Sequence, residues 1–270
     1  MLVDSHCHLN YLTDCDDKLA AARAGGVKAF LCIGVKQETH AEVIAIAERH
    51  ADVWASAGIH PDSVAGASLD WLEAALRHHR VVGVGETGLD YFRDADADER
   101  RRQRESFAAH LQLAQHAGLP AIVHTRAAED DTAALLEAHR DCSGVLHCFT
   151  ESWQLARVAL DLGWYVSISG IVTFRNAEGV RDVARRIPDD RLLIETDCPW
   201  LAPVPKRGKP NEPAFVRHTA EFLAELRGQS LQAVAESTSA NFARLFPRTG
   251  LSSDAGLARI EPQLRSNSSS

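Results

Sequence analysis

Short apolar runs alternate with longer amphipathic stretches from one end of the chain to the other. The runs are LVDSHCHL (2–9), KAFLCIGV (28–35), VWASAGIH (53–60), VVGVGE (81–86), AIVHT (121–125), GVLHCF (144–149), WYVSIS (164–169) and LLIETD (192–197). They are continuously apolar rather than alternating, the pattern of strands buried on both faces, as in a parallel sheet. Between them the spacing is helical: over 98–117 Phe107, Leu111 and Ala114 recur at i, i+4 and i+7, and the segment stops at Gly118 and Pro120. After the eighth run Phe215, Val216, Thr219, Phe222, Leu223 and Leu226 trace one helical face. Eight strands with helical returns in about 250 residues predict an α/β fold of the (β/α)8 barrel type. A single domain is expected over residues 1–250, with a polar tail, 251–270, that ends in SNSSS and is partly disordered. A doubly wound open sheet is the alternative, but no GxGxxG phosphate loop follows the first strand, where that fold would carry one.

The polar residues within these runs change the picture. His6 and His8 end the first run, His60 the third, Glu86 the fourth, His124 the fifth, His147 the sixth and Asp197 the eighth. In a barrel the C-terminal ends of all strands converge on one mouth, where active sites are built. Any one of these residues alone reads as a hydrogen-bonded histidine or a helix cap. Seven imidazoles and carboxylates facing one space read as a metal centre. Nitrogen and carboxylate donors suit zinc, manganese or iron, and the carboxylate share admits magnesium. Of these seven, even four histidines and two carboxylates exceed what one tetrahedral ion uses, so two divalent ions about 3.5 to 4 Å apart, activating a water, are the economical expectation.

Composition narrows the class further. The net charge of −8 excludes a protein that coats nucleic acid broadly, though not an enzyme that grips a few phosphates. No apolar run reaches the roughly 18 residues of a membrane span, and no basic region followed by an apolar stretch opens the chain. A cytoplasmic protein without a membrane partner is expected. Cys7, Cys15, Cys32, Cys142, Cys148 and Cys198 form no CxxC pair and sit mostly in apolar runs, so reduced, structural thiols are expected. Nothing specifies an oligomer, and a monomer is the expectation.

The motifs DSHCHL, GIHP, GETGLDYFR, VHTR, LHCFT, GIVTFRNA and LLIETDCPWLAP, in this order over residues 2 to about 246, closely resemble the TatD family of metal-dependent deoxyribonucleases. PVPKRGKPNEP and the FARLF ending resemble its YcfH-like branch, and the family belongs with the amidohydrolase barrels. The resemblance implies that His6, His8, Glu86 and Asp197 hold one metal and that Glu86, His124 and His147 hold the second, with Glu86 as the bridge. Related barrels often bridge with a carboxylated lysine, but no lysine lies between Lys36 and Lys206. Asp197 would also accept a proton from the attacking water, which makes Glu86 and Asp197 the expected catalytic carboxylates. The implied substrate is a phosphodiester at the 3′ end of single-stranded DNA, or of RNA.

Other residues carry weaker expectations. Arg126 either steadies a phosphate or pairs with Glu129 or Asp130. Lys206, Arg207 and Lys209 make a basic loop after the eighth run, with Arg207 a candidate substrate contact. Tyr91, Phe174 and Trp200 are candidates for stacking a terminal base. His60 has no assigned metal and is expected to line the cleft or to be structural. The arginines of ERRRQRE (99–105) read as an exposed helix face. Residue 198 is Cys where the family usually has Ser, and strand alternation would turn it away from Asp197. Two other readings stay open: the same metal pair could serve an aminoacyl-tRNA deacylase or a small-molecule esterase or amidase, and a non-catalytic metal-binding scaffold is disfavoured by the full set of six ligands.

Overall fold

The computed structural model describes residues 1–92 and 95–252; the tail expected beyond them lies outside the described residues. Eight parallel strands follow one another in order around a single sheet: β1 (Leu2–Cys7), β2 (Val27–Cys32), β3 (Val53–Ala57), β4 (Val81–Asp90), β5 (Ala121–Arg126), β6 (Gly144–Leu146), β7 (Tyr165–Ile168) and β8 (Leu192–Ile194). Each coincides with one of the apolar runs. Helices α1 (Cys15–Ala24), α2 (Gln37–Arg49), α3 (Leu72–Ala75), α4 (Ala97–Ala117), α5 (Glu129–Ala138), α6 (Trp153–Asp161) and α7 (Glu178–Arg186) return the chain between strands, and α8 (Val216–Arg227) and α9 (Leu231–Leu245) follow the last one. The expected helix over 98–117 is α4. Its start is set by Asp96, whose side chain accepts from the Glu99 N–H, and its end by Gly118 in the left-handed conformation.

The apolar residues divide into two layers. Val3, Leu31, Trp54, Val82, Ile122, Val145, Tyr165 and Leu193 fill the barrel, while a larger cluster lies between the strands and the helices. The bottom of the barrel is stoppered by α9, which contributes Phe242 and Leu245 to the inner layer, with Phe246 directly after it. The Asn241 amide on the same helix donates to the Leu192 carbonyl at the start of β8, and the Ser239 hydroxyl donates to the Met1 carbonyl.

Seven strand pairs are laddered, and the circle is closed differently between β8 and β1. Asp4 is fully buried there. Its carboxyl accepts from the Thr196 N–H at 2.9 Å and bonds the Thr196 hydroxyl at 2.6 Å. The Ser5 hydroxyl donates to the Ile194 carbonyl, and two main-chain bonds, Asp197 N–H to His6 and His8 N–H to Cys198, complete the seam. Burial pushes the Asp4 carboxyl up to about 8, against the lowering effect of its Thr196 bonds.

Behind β3, the buried His110 of α4 ties the approach to His60. Its Nε2 accepts from the Ile59 N–H at 3.0 Å and its Nδ1 donates to the Ser106 carbonyl at 2.7 Å. That arrangement requires a neutral ring, and burial lowers the pKa from 6.5 to about 4. The unfolded chain therefore takes up this proton first. The stabilisation is complete above about pH 6.5 and is lost as the pH falls toward 4, by about 3 kcal/mol in all. Urea unfolding of wild type and His110→Gln should show a stability gap that narrows between pH 7 and pH 4.5. A gap that is constant with pH would contradict this role.

Candidate metal centre

Local irregularities in β1 and β4 aim the polar residues at the barrel mouth. Simple alternation from Val3 would point Cys7 inward and His6 outward. The register of β1 against β2 shifts between Asp4 and Cys7, so that Cys7 joins the outer core and His6 and His8 face in together. In β4 the register against β5 shifts between Val84 and Thr87, around Glu86. The flanking glycines are required by close approach of the β5 backbone: a Cβ at Gly85 would lie 2.4 Å from the Ile122 carbonyl oxygen, and one at Gly88 2.0 Å from that of His124.

The structure brings His6, His8, His60, Glu86, His124, His147 and Asp197 into one cluster at the base of a cleft of about 750 Å3. His6 Nε2 and His8 Nε2 face each other at 3.2 Å. Glu86 Oε2 lies 3.4 and 3.7 Å from these two atoms, and Asp197 Oδ1 lies 3.7 and 3.2 Å from them. Donors bound to a tetrahedral ion at about 2.0 to 2.1 Å stand about 3.4 Å apart, and these five separations bracket that value. Glu86 Oε2 is buried without a hydrogen-bond partner among the described residues, a lone acceptor that a cation would satisfy. The donor set fits a divalent cation.

The other oxygen of Glu86 serves a second group. Oε1 is 2.8 Å from His147 Nε2, 3.3 Å from His124 Nδ1 and 3.4 Å from His60 Nε2. One buried carboxylate thus presents its two oxygens to two sets of imidazoles. Burial alone would raise Glu86, but His147, His60 and His124 outweigh it and hold the carboxyl well below its usual range. Burial likewise disfavours charge on His147, and Glu86 and Glu195 reverse that, raising it well above 6.5. Asp197 is lowered against its burial by the bond and charge of His8, with His6 and His147 adding to it. His6 is lowered, chiefly by burial and by the His147 charge. Cations and protons therefore compete for the same atoms.

Two placements differ from the strand-end expectation. Glu86 is not the end of its strand: β4 runs on to Asp90, paired with Arg126, because the ladder to β5 resumes after the irregularity. Asp197 lies beyond β8, in a turn with φ 58, where its N–H is tied to His6. Cys198 is fully buried with Cys7 in the outer core, as expected, although this turn rather than strand alternation puts it there.

The candidate substrate contacts separate. His60 and Arg126 line the cleft, as does Trp200, half-exposed, with its ring edge-on to His8 at 5.1 Å and 5.6 Å from the exposed Tyr11. Arg126 lies over the exposed Phe92 ring at 3.6 Å and makes no ion pair to Glu129 or Asp130. Glu129 instead accepts from the Ser152 hydroxyl. Tyr91 does not line the cleft: its hydroxyl donates to Asp131 and Arg100 covers its ring. Arg207 is exposed on the outer rim, over Phe174 at 3.9 Å, and does not line the cleft either. Sequence reasoning missed Lys36 and Tyr11 in the cleft wall, and Asp62, Asp90 and Glu195 behind the histidines. Asp90 and Glu195 stand inside the GETGLDYFR and LLIETDCPWLAP motifs, but their partners are set by register across strands.

A parallel barrel with imidazole and carboxylate donors gathered at the C-terminal ends of its strands defines the class, a metal-dependent hydrolase. The family model for TatD-related DNases matches residues 3–247. The chain belongs to the TatD family. It is 46% identical over 254 residues to the uncharacterized metal-dependent hydrolase YcfH of Escherichia coli (strain K12), covering 91% of this chain and 95% of that one. It is 35% identical over 246 residues to the 3′-5′ ssDNA/RNA exonuclease TatD of Salmonella typhimurium, covering 87% and 94%. The crystal structure of YJJV, a TatD homologue from Escherichia coli K12, superposes with a TM-score of 0.85 at 32% identity, over 91% of this chain and 98% of that one. No helix among the described residues is long and apolar enough to cross a membrane.

Proposed function

We propose that the chain is a two-cation nuclease that removes nucleotides from the 3′ end of single-stranded DNA, and of RNA. One cation is assigned to His6, His8, Glu86 and Asp197, the other to Glu86, His124 and His147. The observation that carries the substrate class is the cleft wall above them. Arg126, over Phe92 and in no ion pair among the described residues, offers its planar fork to a phosphate, and Trp200 and Tyr11 offer exposed rings to a base. A relative is named for this activity.

When bound, magnesium, manganese or zinc would supply Lewis-acid charge for the phosphate and lower the pKa of water. Asp197, 14% exposed at the side chain and turned toward the cleft, takes the proton of the attacking water as general base. Arg126 holds a non-bridging phosphate oxygen, and Arg207 meets the strand farther out on the rim. Six cysteines without disulfides suit the cytoplasm as its place of action.

The test uses 5′-end-labelled single-stranded oligonucleotide, duplex and aminoacylated tRNA, offered to chelator-treated enzyme resupplied with each of the three ions. A ladder of progressively shortened single strands is expected, with duplex degraded more slowly. If tRNA is deacylated and no nucleotide leaves under any ion, the nuclease reading is wrong. Arg126→Ala should raise KM for the oligonucleotide about 10- to 100-fold, the loss of one charge-assisted contact. Arg126→Lys should not restore it, because the lysine has neither the fork nor the stack.

A further inference from the structure

Neither the motif pattern nor the resemblance assigns His60 a metal, yet its surroundings match those of the two histidines that share its carboxylate. Three imidazoles surround Glu86 Oε1, and each has its far nitrogen held by a different carboxylate. His147 Nδ1 meets Glu195 Oε1 at 3.3 Å, His124 Nε2 meets Asp90 Oδ2 at 3.1 Å, and His60 Nδ1 meets Asp62 Oδ1 at 2.6 Å. Asp62 is itself fixed by the Ser63 hydroxyl at 3.0 Å. A carboxylate behind an imidazole sets the tautomer, so that the opposite nitrogen presents its lone pair, and raises its basicity; it is the usual support of a metal-bound histidine. For His60 the opposite nitrogen is Nε2, the atom 3.4 Å from Glu86 Oε1.

The donor atoms of His60, Glu86 and His124 all lie within 4.8 Å of one another. The rings of His60 and His124 meet edge-on, 4.8 Å apart at their centroids, so they converge without stacking. His60 Nε2 is thus aimed at the buried carboxylate from the side where a donor atom completing a coordination sphere would stand.

We propose that His60 is a ligand of the second cation, beside Glu86, His124 and His147, and that Asp62 positions it. This rests on the two-cation reading above. The two positions then differ in character: two imidazoles with two carboxylates at one, three imidazoles with one carboxylate at the other. The second should favour zinc or manganese over magnesium, which prefers oxygen donors.

The test is a titration of the full, chelator-stripped chain with Mn2+, counting free ion by its electron paramagnetic resonance signal. Wild type should bind two ions. His60→Gln should keep the first at wild-type affinity and weaken the second about 100-fold or more, and Asp62→Asn should weaken the second about 10-fold. The Asp62 side chain is 67% exposed, so its variant carries the test should His60→Gln fail to fold. Two ions bound at wild-type affinity by both variants would overturn the proposal. So would a raised KM for single-stranded DNA with both ions retained, since His60 would then serve the substrate. Fewer than two ions in wild type would contradict the two-cation reading itself, and the His60 assignment with it.

Discussion

Glu86→Gln should lower turnover by at least about 10³-fold, equivalent to about 4 kcal/mol of transition-state stabilisation, while leaving the circular dichroism spectrum unchanged. The side chain is 2% exposed, and each of its oxygens faces a different set of imidazoles. Gln keeps the shape but replaces one oxygen with an N–H donor, which repels a cation on whichever side it faces. Metal content should fall from two ions to one or none, measured by elemental analysis on dialysed protein. A variant that keeps both ions and more than a tenth of wild-type turnover would refute the bridging role. His147 should also lose its raised pKa, because the Glu86 charge is a principal cause of it.

Asp4→Ala should cost about 3 kcal/mol in urea unfolding, more than any exposed substitution, because it strips two bonds from the one junction of the barrel that has no strand ladder. The Thr196 N–H would be left buried and unpaired, and its hydroxyl would keep only the bond it accepts from the Cys198 N–H. Asp4→Asn is the informative companion, since it keeps the volume and an acceptor for the Thr196 N–H. The folded-state pKa of Asp4, about 8, lies above the usual 3.8. The stability it contributes is therefore complete below about pH 4 and is lost as the pH rises toward 8. Asn cannot ionise, so Asp4→Asn should gain on wild type between pH 5 and pH 8.5. If the difference between these two proteins stays flat over that range, Asp4 is not held neutral in the fold.

The fold was legible in the chain because a strand buried on both faces leaves a continuous apolar run, and eight such runs stand out. Helix α4 was legible from its periodicity and its glycine stop. What did not show was register. The phase change between Asp4 and Cys7 leaves no mark in LVDSHC, and without it His6 would point away from the mouth. Continuation of β4 to Asp90 was hidden for the same reason: GETGLD contains two glycines, and pairing with β5 rather than local propensity carries the strand through. The candidate ligands could be read one strand end at a time. Their supporting carboxylates could not, since Asp90 meets His124 from the neighbouring strand and Glu195 meets His147 from two strands away. Tyr91 shows the opposite error: a motif residue near the mouth in sequence whose side chain is engaged by Asp131 and Arg100 outside the cleft.

The stopper formed by α9 has a consequence for synthesis. Phe242, Leu245 and Phe246 fill the same inner layer as Val3 and Leu31, and Asn241 and Ser239 bond the first residues of β8 and the chain's opening residue. The strands emerge from the ribosome long before the residues that close their interior. Until roughly the last tenth of the described chain is made, the nascent barrel has an open apolar base, and the lower ends of its first and last strands lack the Asn241 and Ser239 bonds. Final closure is thus a late event on this chain, and a nascent polypeptide stalled short of residue 240 should remain protease-sensitive and dependent on chaperones.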